Sequence, residues 1–184
     1  MDFSNIVDSF FEKDYRVHDT SIFRDLSLNF KKMMLDSTLE PAERFLNLLA
    51  VATTLHNKEM MSLARTGLTM MEMAPEHIQE AAEVAGIMGM NNIYYKFRSF
   101  LSPEVAEEYS RAGLRMQSLM KPQTGKQNFE MMSLAVSIVN GCPTCVSSHE
   151  KAIRALGVSA DKVHDVARLA ATCKGLDSLK VAQA

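Results

Sequence analysis

The chain has 184 residues, of which 47% are hydrophobic and 23% are charged. This composition fits one folded domain, or two small repeated halves, and excludes a disordered chain. Twenty basic against 22 acidic residues give a net charge of −2 without a long basic run, so we predict binding neither to nucleic acid nor to an anionic membrane. Because no apolar stretch reaches the ~20 residues of a membrane helix and the first residues lack a signal-peptide pattern, we expect a cytoplasmic protein.

Apolar residues recur at helical spacing along most of the chain, whereas alternating strand patterns are scarce. All five prolines stand at places that suit helix starts or loops. In chain order the predicted helices are Ile22–Leu35, Pro41–His56, Lys58–Met73, Pro75–Met88, Pro103–Met120, Lys126–Val139, Pro143–Leu156 and Ser159–Cys173. We therefore predict an all-α fold and a single domain over residues 1–184.

The chain also resembles itself at an offset of 85 residues, where Leu49-Ala50-Val51 aligns with Leu134-Ala135-Val136. The match indicates two duplicated helical halves, about 41–120 and 126–184, joined by residues 121–125. The halves differ at three chemically informative positions. The second half has Cys142, Cys145 and His149 where the first has Asn57, Met60 and Ala64.

Two of the three cysteines, Cys142 and Cys145, form a pair separated by two residues. In a compartment that keeps thiols reduced, such a pair is more typical of a redox or metal site than of a structural disulfide. Asn140 and Gly141 are suited to ending one helix and Pro143 to opening the next, which places the pair at a helix N-terminus. Backbone amides there favour thiolates, so either sulfur can attack, and the two can close into a disulfide.

Two further residues suit proton transfer near this pair. His149 follows Cys145 by four residues, on the same helix face, and can take the thiol proton. Glu130 precedes Cys142 by twelve residues, which is ~18 Å along a straight helix. If the helix after the Asn140-Gly141 turn runs back along the one before it, Glu130 can orient the His149 imidazole, and Cys145, His149 and Glu130 then form a proton relay.

The remaining cysteine, Cys173, is predicted to be a small buried residue near the end of a helix. A non-catalytic alternative uses Cys142, Cys145 and His149 as zinc ligands, with Cys173 or His164 as the fourth. A thioredoxin-like oxidoreductase is a second alternative. It requires a strand before the pair and a proline in a later loop, and no proline follows Pro143.

The run from Met132 to Glu150, with its cysteine pair, its histidine and Glu130 upstream, closely resembles the alkyl hydroperoxide reductase D proteins of the carboxymuconolactone decarboxylase-like group. The resemblance implies an all-helical antioxidant enzyme that binds no cofactor or metal and reduces hydroperoxides. By this resemblance, Cys145 becomes the sulfenic acid, Cys142 donates a proton and then forms the disulfide with Cys145 or with a partner, and His149 and Glu130 form the relay.

The resemblance also implies partners. They are the peroxiredoxin alkyl hydroperoxide reductase C and a lipoyl-carrying 2-oxoacid dehydrogenase component, which supplies a dihydrolipoamide-type dithiol, and the subunits are expected to form a homotrimer. Some family members have a histidine between the two cysteines, where this chain has Thr144, which predicts a modest direct peroxidase rate. A decarboxylase-type lyase of the same group is the remaining alternative, but such a lyase does not need the cysteine pair.

Overall fold

The structure is a computed structural model that describes residues 2–14 and 20–181, and within these ranges it contains helices and no strand. The helices are α1 (Ser4–Asp14), α2 (Ser21–Leu35), α3 (Pro41–Thr54), α4 (Lys58–Met70), α5 (Pro75–Ser99), α6 (Pro103–Glu108), α7 (Lys126–Val139), α8 (Pro143–Ala155) and α9 (Ala160–Val181), with a 3-10 turn at Gln117–Met120. The all-α prediction is confirmed. None of the described helices is both long and apolar enough to cross a membrane.

Two central helices, α3 and α7, organise the core. They pack against each other, and each buries a continuous run of residues: nine on α7, residues 129–137, and eight on α3, residues 45–52. Helices α4 and α5 flank α3, while α8 and α9 flank α7. Because α7 is covered on nearly all sides, side chains on it can meet groups from several other helices.

The starts of these helices repeat along the chain. Helices α3, α4 and α5 begin at residues 41, 58 and 75, and helices α7, α8 and α9 begin at residues 126, 143 and 160. Each helix of the second set therefore starts 85 residues after its counterpart in the first set, and this is the same offset at which the sequence resembles itself. The capping residues correspond as well, since Asn57 accepts the amide of Met60 at 3.0 Å and Cys142 accepts the amide of Cys145 at 3.3 Å.

The buried carboxylate of Glu43 on α3 links the first set of helices, α3 to α5, with the second set, α7 to α9. It accepts hydrogen bonds from Gln127 Nε2 on α7 at 2.9 Å and from Lys162 Nζ on α9 at 2.8 Å. It also accepts the backbone amide of Glu40, which completes a capping box at the start of α3. These bonds compensate the cost of burying the charge and hold α3, α7 and α9 in register.

The predicted helix over Pro103–Met120 is wrong beyond Glu108. Ser102 and Pro103 open α6 as expected, but no residue of α6 is buried. A short helix without a packed apolar face has little to stabilise its extension, and Gly113 then adopts a left-handed conformation, with φ of 65°. The chain is irregular from there to the 3-10 turn.

Other helices are longer than predicted because tertiary packing outweighs local sequence. Helix α5 continues through Gly86 and Gly89 to Ser99, with Asn92 buried against α7. Helix α9 continues through Gly175, whose missing side chain leaves room for Leu26 of α2. Cys173 is buried as predicted, but it lies well inside α9 rather than near its end.

Helix α1 was not predicted, although the sequence carries a signal for it. Phe3, Val7, Phe10 and Phe11 recur at helical spacing and are buried. Helix α1 packs against α4 and α2.

The close packing of α4 on α3 gives a testable prediction. A Cβ at Gly67 would lie 2.4–2.6 Å from ring carbons of Phe45, which is fully buried. We expect Gly67→Ala to lower the free energy of unfolding by about 1–3 kcal/mol, as measured by urea denaturation. Gly86→Ala is the matched control. Its Cβ would meet nothing within 4 Å, and it should instead stabilise the protein by about 0.5–1 kcal/mol. Equal effects of the two substitutions would contradict this account.

Candidate active site

The turn between α7 and α8 carries the cysteine pair. Asn140 ends α7 and Gly141 reverses the chain in a left-handed conformation, with φ of 64°, which glycine adopts without steric cost. Cys142 is then the N-cap of α8, and Pro143 occupies its first turn. The helix start predicted at the pair is therefore confirmed.

Cys142 and Cys145 are joined by a disulfide, with their Cα atoms 5.3 Å apart. The Cys142 sulfur also accepts the Cys145 amide at 3.3 Å, so it takes the place of the side-chain oxygen that usually caps a helix. The two sulfurs differ in exposure. Cys142 is fully buried, whereas Cys145 is 6% exposed.

Helix α8 runs back along α7 and brings His149 onto Glu130, as predicted. His149 Nδ1 lies 2.6 Å from Glu130 Oε2, and Lys126 Nζ lies 2.6 Å from the other carboxylate oxygen. Burial raises the pKa of Glu130, but the bonds from His149 and Lys126 outweigh it and leave that pKa below its usual value. The carboxylate is therefore ionised at neutral pH, and its bond to Nδ1 orients the imidazole ring.

A cavity of about 300 Å³ opens beside this group. Three parts of the chain form its walls: helix α5, helix α8 and the segment that contains the 3-10 turn. The walls are mostly apolar. They comprise Met88, Asn91, Tyr95, Met116, Leu119, Thr144, Cys145, Ser148 and His149. Cys145 and His149 thus face the same space, and Cys142 is not part of its lining.

The sequence did not predict a polar network that holds the turn. Asn92 on α5 donates to Ser137 Oγ at 2.9 Å and accepts from Asn140 Nδ2 at 2.9 Å. Lys96, one turn further along α5, donates to the Asn140 carbonyl at 3.1 Å, and the Ser137 carbonyl accepts the Cys142 amide at 3.1 Å. In the sequence, this network is signalled by the two adjacent asparagines, Asn91 and Asn92, in a helix that also contains apolar residues.

The other candidate residues lie apart from this group. Cys173 is a buried free thiol inside α9, where burial raises its pKa far above the usual range, and His164 on the same helix is exposed. Glu150 is exposed, as predicted, and is 4.0 Å from Arg154. In the part of the chain that the structure describes, no group of three or more His, Cys, Asp or Glu residues is placed to hold a metal ion.

The fold and the site define a class of protein: an all-helical chain with a Cys-x-x-Cys disulfide at a helix start and a histidine–glutamate pair beside it. Residues 103–184 match the profile of the carboxymuconolactone decarboxylase family. The chain is 41% identical over 149 residues to alkyl hydroperoxide reductase AhpD of Anaeromyxobacter dehalogenans strain 2CP-1, covering 80% of this chain and 78% of that protein.

Two more relatives with the same name are similar over comparable lengths. The AhpD protein of Gluconacetobacter diazotrophicus is 38% identical over 149 residues, which is 81% of each chain. That of Mycolicibacterium paratuberculosis is 34% identical over 160 residues, covering 86% of this chain and 88% of the relative. The chain belongs to the AhpD group of the carboxymuconolactone decarboxylase family.

The contacts of Glu130 predict a pH dependence of stability. Its pKa is lowered in the folded protein from a value of 4.5, so its contribution to stability is present above pH 4.5 and is lost as the pH falls through the folded value. At pH 7, Glu130→Gln should lower the free energy of unfolding by about 1–3 kcal/mol. Urea denaturation of both proteins between pH 7 and pH 3 should show this difference shrinking with acid. A difference that does not change with pH would contradict the assignment.

Proposed function

We propose that this protein is a thiol-dependent hydroperoxide reductase of the alkyl hydroperoxide reductase system. The observation that carries the proposal is the Cys142–Cys145 disulfide, because Cys145 lines a mostly apolar cavity that His149 also lines. The names of the relatives support the same activity. The alternatives have less support, because the described residues contain neither a zinc ligand cluster nor the strand of a thioredoxin-like fold, and these relatives are named as reductases rather than lyases.

The reaction begins from the reduced protein. The Cys145 thiolate attacks the outer oxygen of the hydroperoxide, the O–O bond breaks, and Cys145 becomes a sulfenic acid while the alkoxide leaves. His149, oriented by Glu130, first takes the Cys145 proton and then returns a proton to the departing oxygen. The Cys142 thiol next attacks the sulfenic sulfur, water leaves, and the disulfide forms.

The cycle closes when an external dithiol reduces this disulfide. We propose a dihydrolipoamide-type dithiol carried by a 2-oxoacid dehydrogenase component as the donor, and the peroxiredoxin alkyl hydroperoxide reductase C as the partner that the reduced pair regenerates. This chemistry suits a cytoplasmic location, where thiols are kept reduced. No step requires a bound cofactor.

The proposed homotrimer needs a surface on which subunits can meet. The C-terminal part of α5 exposes Ile93 (70%) and Phe97 (43%), and the C-cap residue that follows it, Phe100, is 77% exposed. The spacing of the three places them on one face of the helix end. An apolar patch of this kind on a helix is typical of a protein–protein contact.

The proposed activity predicts how cysteine variants behave. With an organic hydroperoxide and dihydrolipoamide, the wild-type protein should turn over, and both Cys145→Ser and Cys142→Ser should lose at least about 100-fold in rate because each removes one sulfur of the cycle. A sulfenic-acid trap should label Cys142→Ser but not Cys145→Ser. Cys173→Ala is the control, since this thiol is buried away from the cavity, and it should keep the wild-type rate. Stoichiometric zinc in the purified protein without dithiol-dependent turnover, with or without the peroxiredoxin, would overturn the proposal.

The proposed subunit contact makes a separate prediction. Phe100→Asp places a charge on the apolar face of α5 and should convert a trimer to a monomer, as measured by light scattering after size-exclusion chromatography. Leu28→Asp is the matched control on α2, because Leu28 is 60% exposed and lies on another helix. Trimers in both variants would exclude this face as the contact, and a monomeric wild-type protein would contradict the homotrimer.

A further inference from the structure

A buried polar atom beside the cavity has no hydrogen-bond partner. Asn91 Oδ1 on α5 is buried, and none of the described residues donates a hydrogen bond to it. Asn91 is 6% exposed and lines the cavity that Cys145 and His149 also line. A carbonyl oxygen that is buried without a donor destabilises the folded protein. Its presence beside the reactive cysteine therefore points to a ligand that supplies the missing donor.

The two adjacent asparagines of α5 differ in this respect. Asn92 both donates and accepts a hydrogen bond, each of 2.9 Å, in the network that holds the α7–α8 turn. Successive residues of a helix point about 100° apart, and Asn91 instead shares a helix face with Met88 and Tyr95. All three line the cavity. Asn91 therefore lies between the other two residues that α5 contributes to the cavity wall.

The rest of the cavity wall favours a ligand with an apolar body. Much of the surface is hydrophobic or aromatic and comes from Met88, Tyr95, Met116 and Leu119. Thr144 and Ser148 also line the cavity, but both are exposed, so water can satisfy their hydroxyl groups. The wall thus combines an apolar surface with a buried amide that needs a partner, which suits a small organic molecule with one polar group.

We propose that the side-chain amide of Asn91 binds the hydroperoxide group of the substrate beside Cys145. This proposal rests on the proposed function and adds a substrate-binding residue to it. A hydroperoxide has one O–H donor on its outer oxygen and an acceptor on its inner oxygen, and an amide offers the complementary acceptor and donors. The amide can rotate about its Cβ–Cγ bond to reach the substrate, and Oδ1 has no hydrogen bond to lose when it does so.

The bound amide orients the O–O bond for the reaction. Asn91 Oδ1 accepts the O–H of the outer oxygen, and its Nδ2 donates to the inner oxygen. The Cys145 thiolate attacks the outer oxygen, which keeps its proton and becomes the hydroxyl of the sulfenic acid. The O–O bond breaks, and the inner oxygen leaves as an alkoxide. Nδ2 stabilises this alkoxide until His149 protonates it.

The first test measures the peroxide step alone. In Cys142→Ser, which cannot form the disulfide, cumene hydroperoxide should convert Cys145 to a sulfenic acid that a trap detects. Adding Asn91→Leu, which removes the amide with little change in volume, should slow this step at least about tenfold. Asn47→Leu is the matched control, because Asn47 Oδ1 is also buried without a partner but lies on α3, outside the cavity lining. It should keep the rate, and an unchanged rate in Asn91→Leu would overturn the proposal.

Two measurements separate substrate binding from a structural role. Methyl methanethiosulfonate, which has no O–H or N–H group, should modify the Cys145 thiolate equally fast with and without Asn91→Leu. The thermal midpoint of Asn91→Leu should equal or exceed that of the wild type, because the substitution removes an unpaired buried oxygen. Equal slowing with both reagents, together with a lower midpoint, would assign Asn91 to the fold and overturn the proposal. If leucine prevents folding, Asn91→Ala provides the same comparison of reagents.

The reducing half of the cycle tests whether the amide serves the dithiol instead. A thiol is a weak hydrogen-bond donor, so dihydrolipoamide should reduce the Cys142–Cys145 disulfide of Asn91→Leu at the wild-type rate. Slowing of this step alone would assign the amide to the dithiol and overturn the proposal. If Cys142→Ser forms no sulfenic acid with any hydroperoxide, the proposed function itself fails. If it forms the sulfenic acid equally fast with and without Asn91→Leu, only the role of Asn91 fails.

Discussion

The reversal of the chain at Gly141 is the constraint on which the rest of the site depends. With φ of 64° at this residue, α8 turns back along α7 rather than continuing away from it. This single turn makes Cys142 the N-cap of α8, and it brings His149 to 2.6 Å from Glu130. A side chain at position 141 would be strained in this conformation, and its Cβ would lie 3.5 Å from Lys96 Nζ.

The turn is held from outside the segment that contains it. Asn92 and Lys96 on α5 bond to Ser137 and Asn140, at the end of α7. Helix α5 belongs to the first set of helices, whereas the cysteines lie in the second. The first set therefore does more than fill volume, because it supplies both the network that holds the turn and one wall of the cavity beside Cys145.

The Glu130 carboxylate shows how a buried charge can be retained near a redox pair. Lys126, half exposed to solvent, bonds one oxygen, and His149 bonds the other. The carboxylate remains ionised although burial opposes its charge. In the proposed reaction the imidazole can therefore exchange protons in the cavity while its Nδ1 atom is held in place.

The sequence alone determined features that depend on residues close together in the chain. The helix start at Cys142, the placement of Cys145 next to it and the position of His149 one turn further all follow from spacing and local conformational preference. Even the contact between Glu130 and His149 could be predicted, because a single recognisable turn relates them. The same local reasoning failed for residues 109–120, where α6 lacks the packed face that a longer helix needs.

Tertiary structure decided the features that depend on residues far apart in the chain, which local sequence rules do not describe. The asymmetry between a fully buried Cys142 and a Cys145 that faces a cavity depends on where α5 and the 3-10 turn pack. The length of α5 and the Asn92 network likewise depend on contacts with α7, about 45 residues away in the chain. Spacing identifies which side chains share a helix face, but burial and access are properties of the whole packed molecule, since they depend on every helix that covers that face.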